Sequence, residues 1–128
     1  MRATGSFEVK LAPQNDSSPD PNMARLSIDK QFQGDLNATS KGQMLSAGTE
    51  VRGSAGYVAI EKVTGQLNGR TGTFILQHSA TMTRGTPHLS ITVVPDSGTG
   101  DLAGVSGSMR INIADGKHTY EFDYSLSR

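Results

Sequence analysis

The sequence predicts an all-β fold, a single antiparallel barrel of about eight strands, and three observations carry that reading. Short runs that alternate apolar and polar residues recur along the whole chain, glycine-containing turn signals separate them, and no stretch holds a helical apolar period between caps. At 128 residues the chain has the size of one domain, spanning 1–128.

The first strand sets Phe7, Val9 and Leu11 against Ser6, Glu8 and Lys10. Pro13, Pro19 and Pro21, amid Asn15, Asp16, Ser17, Ser18, Asp20 and Asn22, mark Ala12 to Met23 as a long polar loop. The second strand, near Ala24 to Phe32, places Leu26, Ile28, Lys30 and Phe32 on one face, with Lys30 the odd member. A third, near Leu36 to Ser46, is poorly apolar, and a fourth covers Ala55 to Thr64. Asn68-Gly69 then signals a type I′ hairpin, whose two central residues both need positive φ. The fifth strand, Thr73 to Thr83, aligns Phe74, Leu76, His78, Ala80 and Met82. The sixth aligns Leu89, Ile91 and Val93 before Pro95 stops it. A glycine-rich segment leads to Met109, Ile111 and Ile113, Asp115-Gly116 gives a second hairpin turn, and the last strand aligns Tyr120, Phe122, Tyr124 and Leu126. Eight such strands suit a barrel or a sandwich. Successive hairpins favour the barrel, which also removes exposed strand edges.

Twelve Lys plus Arg balance twelve Asp plus Glu, so no net field draws nucleic acid or an acidic membrane, and neither is expected as a partner. The absence of cysteine excludes disulfides, thiolate metal sites and thiol nucleophiles, and suits a reducing compartment. Met1 to Ser6 carries a positive charge with no apolar core behind it, and no run approaches the roughly 18 apolar residues of a spanning helix. A soluble, cytoplasmic protein is expected, so the glycosylation pattern at Asn37-Ala38-Thr39 carries no weight.

The segment Val93-Val94-Pro95-Asp96-Ser97-Gly98-Thr99-Gly100-Asp101-Leu102-Ala103-Gly104-Val105-Ser106-Gly107 spaces its glycines as allene oxide cyclase and dirigent-like barrels do. Thr4-Gly5-Ser6-Phe7, Ser27-Ile28-Asp29-Lys30, Gly34-Asp35-Leu36, Gly56-Tyr57, Gly69-Arg70-Thr71-Gly72, Leu76-Gln77-His78 and Asp115-Gly116-Lys117-His118 follow in order. Over nearly its full length the chain resembles a bacterial family of uncharacterised domains placed in that allene oxide cyclase-like superfamily. The resemblance implies the barrel and homo-oligomeric assembly. It implies no activity, because no catalytic motif of the cyclases or dirigent proteins can be matched here.

The sharpest chemical signal is the parity of Lys30 and His78 with apolar neighbours. Ionisable groups inside a barrel are costly unless paired, so these two should meet a partner as an acid/base site; the competing account is a structural ion pair, or a Lys30 that reaches out at a barrel mouth. Glu61 joins them if Tyr57, Ala59 and Val63 point inward, and turns out if Val58 and Ile60 do; the pattern leaves both open. Lys30, Glu61 and His78 are therefore the candidate catalytic residues, and Phe32, Tyr57, Phe74, Met82, Tyr120 and Tyr124 the candidate ligand-binding ones. The tyrosines serve equally as core. His78, His88 and His118 share no short ligand spacing, so no metal is expected, and no cofactor either. Gly98-Thr99-Gly100 reads as a turn, since no helix follows to hold a phosphate. The leading expectation is a barrel that binds a small, mainly apolar molecule. The alternatives are an isomerase or cyclase acting in the same cavity, and a structural homo-oligomer with a filled barrel.

Overall fold

In a computed structural model of the chain, which describes residues 1–14 and 20–126, the strands close into one barrel. In chain order they are β1 (Arg2–Pro13), β2 (Met23–Gly34), β3 (Leu36–Gly48), β4 (Ala55–Leu67), β5 (Arg70–Thr83), β6 (Thr86–Val93), β7 (Val105–Ala114) and β8 (Lys117–Leu126). Each pairs antiparallel with its sequence neighbour, and β8 returns to β1 from Arg2↔Asp123 to Phe7↔His118. Closure gives every strand a neighbour on each side.

The expected hairpins form, with Asn68 and Gly69 at φ 49° and 84° and Asp115 and Gly116 at 54° and 73°. A third lies at Arg84-Gly85, φ 46° and 92°, which the sequence reading did not single out because arginine is not a residue that advertises a left-handed backbone. Both flanking strands run further than expected: Ala12 and Pro13 stay in β1, opposite Ser27 and Leu26, and Met23 already belongs to β2. Proline fits there because it sits at the strand end, and Gln14 N–H continues the ladder to the Arg25 carbonyl at 2.9 Å. The expectation for Asn15, Asp16, Ser17, Ser18 and Pro19 lies outside the described residues.

The interior divides into two halves. In one, Leu36, Val63, Leu67, Phe74, Phe122 and Tyr124 pack side by side, with Phe74 and Phe122 stacked at 5.6 Å and Phe122 and Tyr124 at 5.3 Å. The glycine-rich connection closes this end. Its short 3₁₀ helix (Gly100–Leu102) buries Leu102 in the core, and the Thr99 amide is tied to the Thr73 carbonyl at 2.8 Å. The other end is open. Leu11, Met82, Leu89 and Ile113 share the parity of buried residues on their strands, yet they stand 46%, 43%, 44% and 63% exposed at its rim.

The wall also parts toward that end. β8 leaves β1 beyond Phe7↔His118, and β6 meets β7 in register only at Thr92↔Ser108 among the described residues. Where β1 and β8 separate, a cleft of about 440 Å³ takes Phe7, Val9 and His118 from the inner face together with Ser6, Glu8, Gln33 and Lys117.

Candidate functional site

At the boundary between the closed and open halves lies a buried polar network. β2 turns Lys30 inward between Ile28 and Phe32, and β5 turns His78 inward between Leu76 and Ala80. β4 settles its open choice by facing Ala59, Glu61 and Val63 inward and leaving Val58 and Ile60 on the outer surface. Lys30 is 5% exposed, His78 5% and Glu61 0%.

Glu61 is the hub. Its Oε2 accepts from Lys30 Nζ at 2.9 Å and lies 2.5 Å from His78 Nε2, while its Oε1 accepts from Ser40 Oγ at 2.6 Å. Burial by itself pushes the Glu61 carboxyl up. The hydrogen bond from His78, the Lys30 ammonium and the Ser40 hydroxyl outweigh burial and hold it at about 2. Glu61 is therefore an anion near neutral pH, and since an ionised carboxylate only accepts, Nε2 of His78 carries the proton between them. Lys30 supplies the counter-charge, with its ammonium 4.9 Å from the centre of the Phe7 ring and 5.3 Å from that of Phe32.

Ser40 escaped the sequence reading. Its only signal was parity with Leu36 and Ala38 on a weakly apolar strand, where a buried serine looks like a surface one. Beside it, Gly42 stands opposite Glu61, and a Cβ there would fall 1.9 Å from the Ile60 carbonyl oxygen. Only glycine lets β3 approach β4 this closely at the network.

The expected ligand-binding side chains separate. Phe32, Phe74, Tyr120 and Tyr124 lie in the packed core, whereas Tyr57 is half-buried and Met82 is at the rim. Both core tyrosine hydroxyls have structural partners. Tyr120 Oη accepts from the Leu36 amide and donates to a backbone carbonyl, of Gln33 at 2.9 Å or Leu36 at 3.1 Å, and Tyr124 Oη accepts from the Asn68 amide at 2.7 Å. Among the described residues no three His, Asp or Glu side chains gather as metal ligands, and no helix is long and apolar enough to cross a membrane.

Fold and site together define an up-and-down β-barrel with one packed end, one open end and a charged network between them. Residues 3–124 match the model of a family described as "Protein of unknown function (DUF3224)", and the chain belongs to that family. Among solved structures it is similar to a DUF3224 family protein with unknown function from Shewanella oneidensis MR-1. The two are 49% identical, with a TM-score of 0.96 over 100% of this chain and 98% of that one. No curated protein matches the sequence.

Proposed function

We propose that this chain is a cytoplasmic binding protein that takes a small, mainly apolar molecule into the open half of its barrel. The observation that carries the reading is the set of apolar residues with inward parity left exposed at one end, Leu11, Met82, Leu89 and Ile113, with Ile28 and Ala80 between them and the buried Lys30, Glu61 and His78. Water reaches these side chains, and an apolar guest would release it. The cleft of about 440 Å³ between β1 and β8, lined by Phe7, Val9 and His118 and by none of these rim residues, is a separate opening in the same half of the wall. Kinship with allene oxide cyclase-like barrels fits the closed eight-stranded topology and belongs to the same proposal.

The test is titration with an uncharged fluorophore, N-phenylnaphthylamine, against wild type and a Met82→Asp/Leu89→Asp variant. The expected result is saturable binding that weakens about tenfold or more in the variant, with little change in melting temperature because both sites are exposed. No saturable binding, or equal binding by both proteins, overturns the reading. A second reading, an isomerase or cyclase with Lys30, Glu61 and His78 as acid/base groups, is favoured by the carboxylate-oriented imidazole.

A further inference from the structure

The cleft between β1 and β8 holds chemistry that neither the buried network nor the apolar rim uses. Five polar side chains from three strands surround it: Ser6 and Glu8 from β1, Gln33 from β2, and Lys117 and His118 from β8. Among the described residues none of the five side chains takes part in a hydrogen bond or ion pair, and His118 only lays its ring against Phe7, 5.2 Å away and tilted by 58°. Further along the same two strands the charges are paired, Arg2 with Asp123 at 2.8 Å and with Glu121 at 3.3 Å. One step past Phe7↔His118 a continued ladder would set Glu8 opposite Lys117, a cross-strand pair of opposite charge. The strands part at that step, so the carboxylate and the ammonium stand on the two banks of the cleft with no ion pair between them.

The backbone adds a second, independent observation. In an antiparallel ladder alternate residues turn their N–H and C=O to opposite neighbours. On β1 the even positions serve β2, since the Asp35 amide donates to the Thr4 carbonyl at 3.1 Å, and the odd positions serve β8, since the Tyr124 amide donates to the Met1 carbonyl at 2.8 Å. Val9 is the first odd position beyond Phe7↔His118. Its N–H and C=O therefore face the cleft, where β8 sets no residue in register with it.

We propose that this cleft binds a free aromatic α-amino acid as its zwitterion, in the ladder position that β8 leaves open beside Val9. A residue in a hydrogen-bonded antiparallel pair exchanges two bonds with its partner, and a free amino acid carries both groups: its ammonium donates to the Val9 carbonyl and its carboxylate accepts from the Val9 amide. Lys117 then answers the carboxylate and Glu8 the ammonium, which makes the contacts charge-assisted at both ends. The aromatic side chain meets the rings of Phe7 and His118, already set as a tilted pair. A zwitterion adds no net charge, as Glu8 and Lys117 together add none. An uncharged apolar molecule would use the rings alone and leave the backbone pair and both charges to water. The cleft shares no side chain with the apolar rim, so this site does not rest on the reading above.

The experiment is isothermal titration of the whole chain with L-phenylalanine and with three compounds that each lack one feature: 3-phenylpropionate without the ammonium, phenethylamine without the carboxylate, and glycine without the ring. L-phenylalanine should bind saturably and about tenfold or more tightly than each of the three. In amide NMR its addition should shift Val9 and Gly116. Glu8→Gln should weaken L-phenylalanine about threefold or more and leave 3-phenylpropionate unchanged, while Lys117→Gln should weaken L-phenylalanine and leave phenethylamine unchanged. Both side chains are exposed, so neither variant should lower the melting temperature. The four-compound comparison needs no variant, so a misfolded one would not blunt it. No saturable binding of L-phenylalanine, binding no tighter than that of any one of the three, or amide shifts confined to the rim around Met82 and Leu89 overturns the proposal. N-phenylnaphthylamine titration reads the rim separately, so failure here leaves the apolar reading to its own test.

Discussion

Replacing Glu61 by Gln keeps the shape of the side chain and removes its charge, which isolates the electrostatic part of the network. The Lys30 ammonium, buried and 2.9 Å from Glu61, would then have only aromatic ring faces and a neutral amide beside it. Removing one member of a buried ion pair typically costs about 3–5 kcal/mol, because the other charge stays in a poorly solvated place. For a domain of this size that is a fall in melting temperature of about 10–20 °C. Adding Lys30→Met removes the stranded charge, so the double variant should regain about 2 kcal/mol or more over Glu61→Gln.

The pH dependence supplies a second arm. Folding lowers the Glu61 carboxyl from 4.5 to about 2. A lowered carboxyl stabilises the fold fully above its unfolded value and loses that contribution as pH falls toward its folded one. The span corresponds to about 3 kcal/mol, so the stability gap between wild type and Glu61→Gln should shrink progressively from pH 4.5 to about 2. Urea denaturation followed by circular dichroism and by the three tyrosines, in a chain without tryptophan, measures both arms. A double variant no more stable than Glu61→Gln, or a gap unchanged between neutrality and about pH 3, would refute the account of Glu61 as an anion held by Lys30.

Two further outcomes are expected. Gly42→Ala should cost about 3 kcal/mol or prevent folding, since its Cβ would sit 1.9 Å from one backbone atom and 2.6 Å from another. Gly69→Ala, at φ +84° in open space, should cost only about 1–2 kcal/mol, and equal melting temperatures for the two variants would contradict the close-approach argument. On the outer wall, Leu45 and Val58 face each other across β3 and β4 with Ile60 beside them, all exposed. If homo-oligomers use this face, wild type should sediment as an oligomer at micromolar concentration and Val58→Lys/Ile60→Lys as a monomer. A monomeric wild type would end that proposal.

Much of the site could be read in the sequence. Lys30 and His78 each interrupt a strand whose other same-face residues are plainly apolar, and a period of two then puts them inside whatever closes. Glu61 could not be placed in this way. Val58 and Ile60 are as apolar as Tyr57, Ala59 and Val63, so β4 alternates between two nearly equivalent faces. Ser40 could not be placed at all, because a small hydroxyl residue is at home on either side of a strand. The rims were misjudged for a different reason: proline and polar residues after Leu11 signal a turn, but a strand end can tolerate them when its neighbour supplies the remaining hydrogen bonds.

Local pattern determined the strand order, two of the hairpin turns and the inward parity of β2 and β5, since each depends on residues adjacent in the chain. Tertiary structure alone decided the rest. Closure of β8 onto β1 brings Phe32 and Tyr120 edge to face at 5.6 Å and fills one end, so that Phe32, Phe74, Tyr120 and Tyr124 become core and the opposite rim stays open. Register across β2 to β5 gathers Lys30, Ser40, Glu61 and His78 from four strands. A buried carboxylate is tolerable only where its donors converge, and once the register supplied those donors on one face of β4, Val58 and Ile60 had to lie on the other.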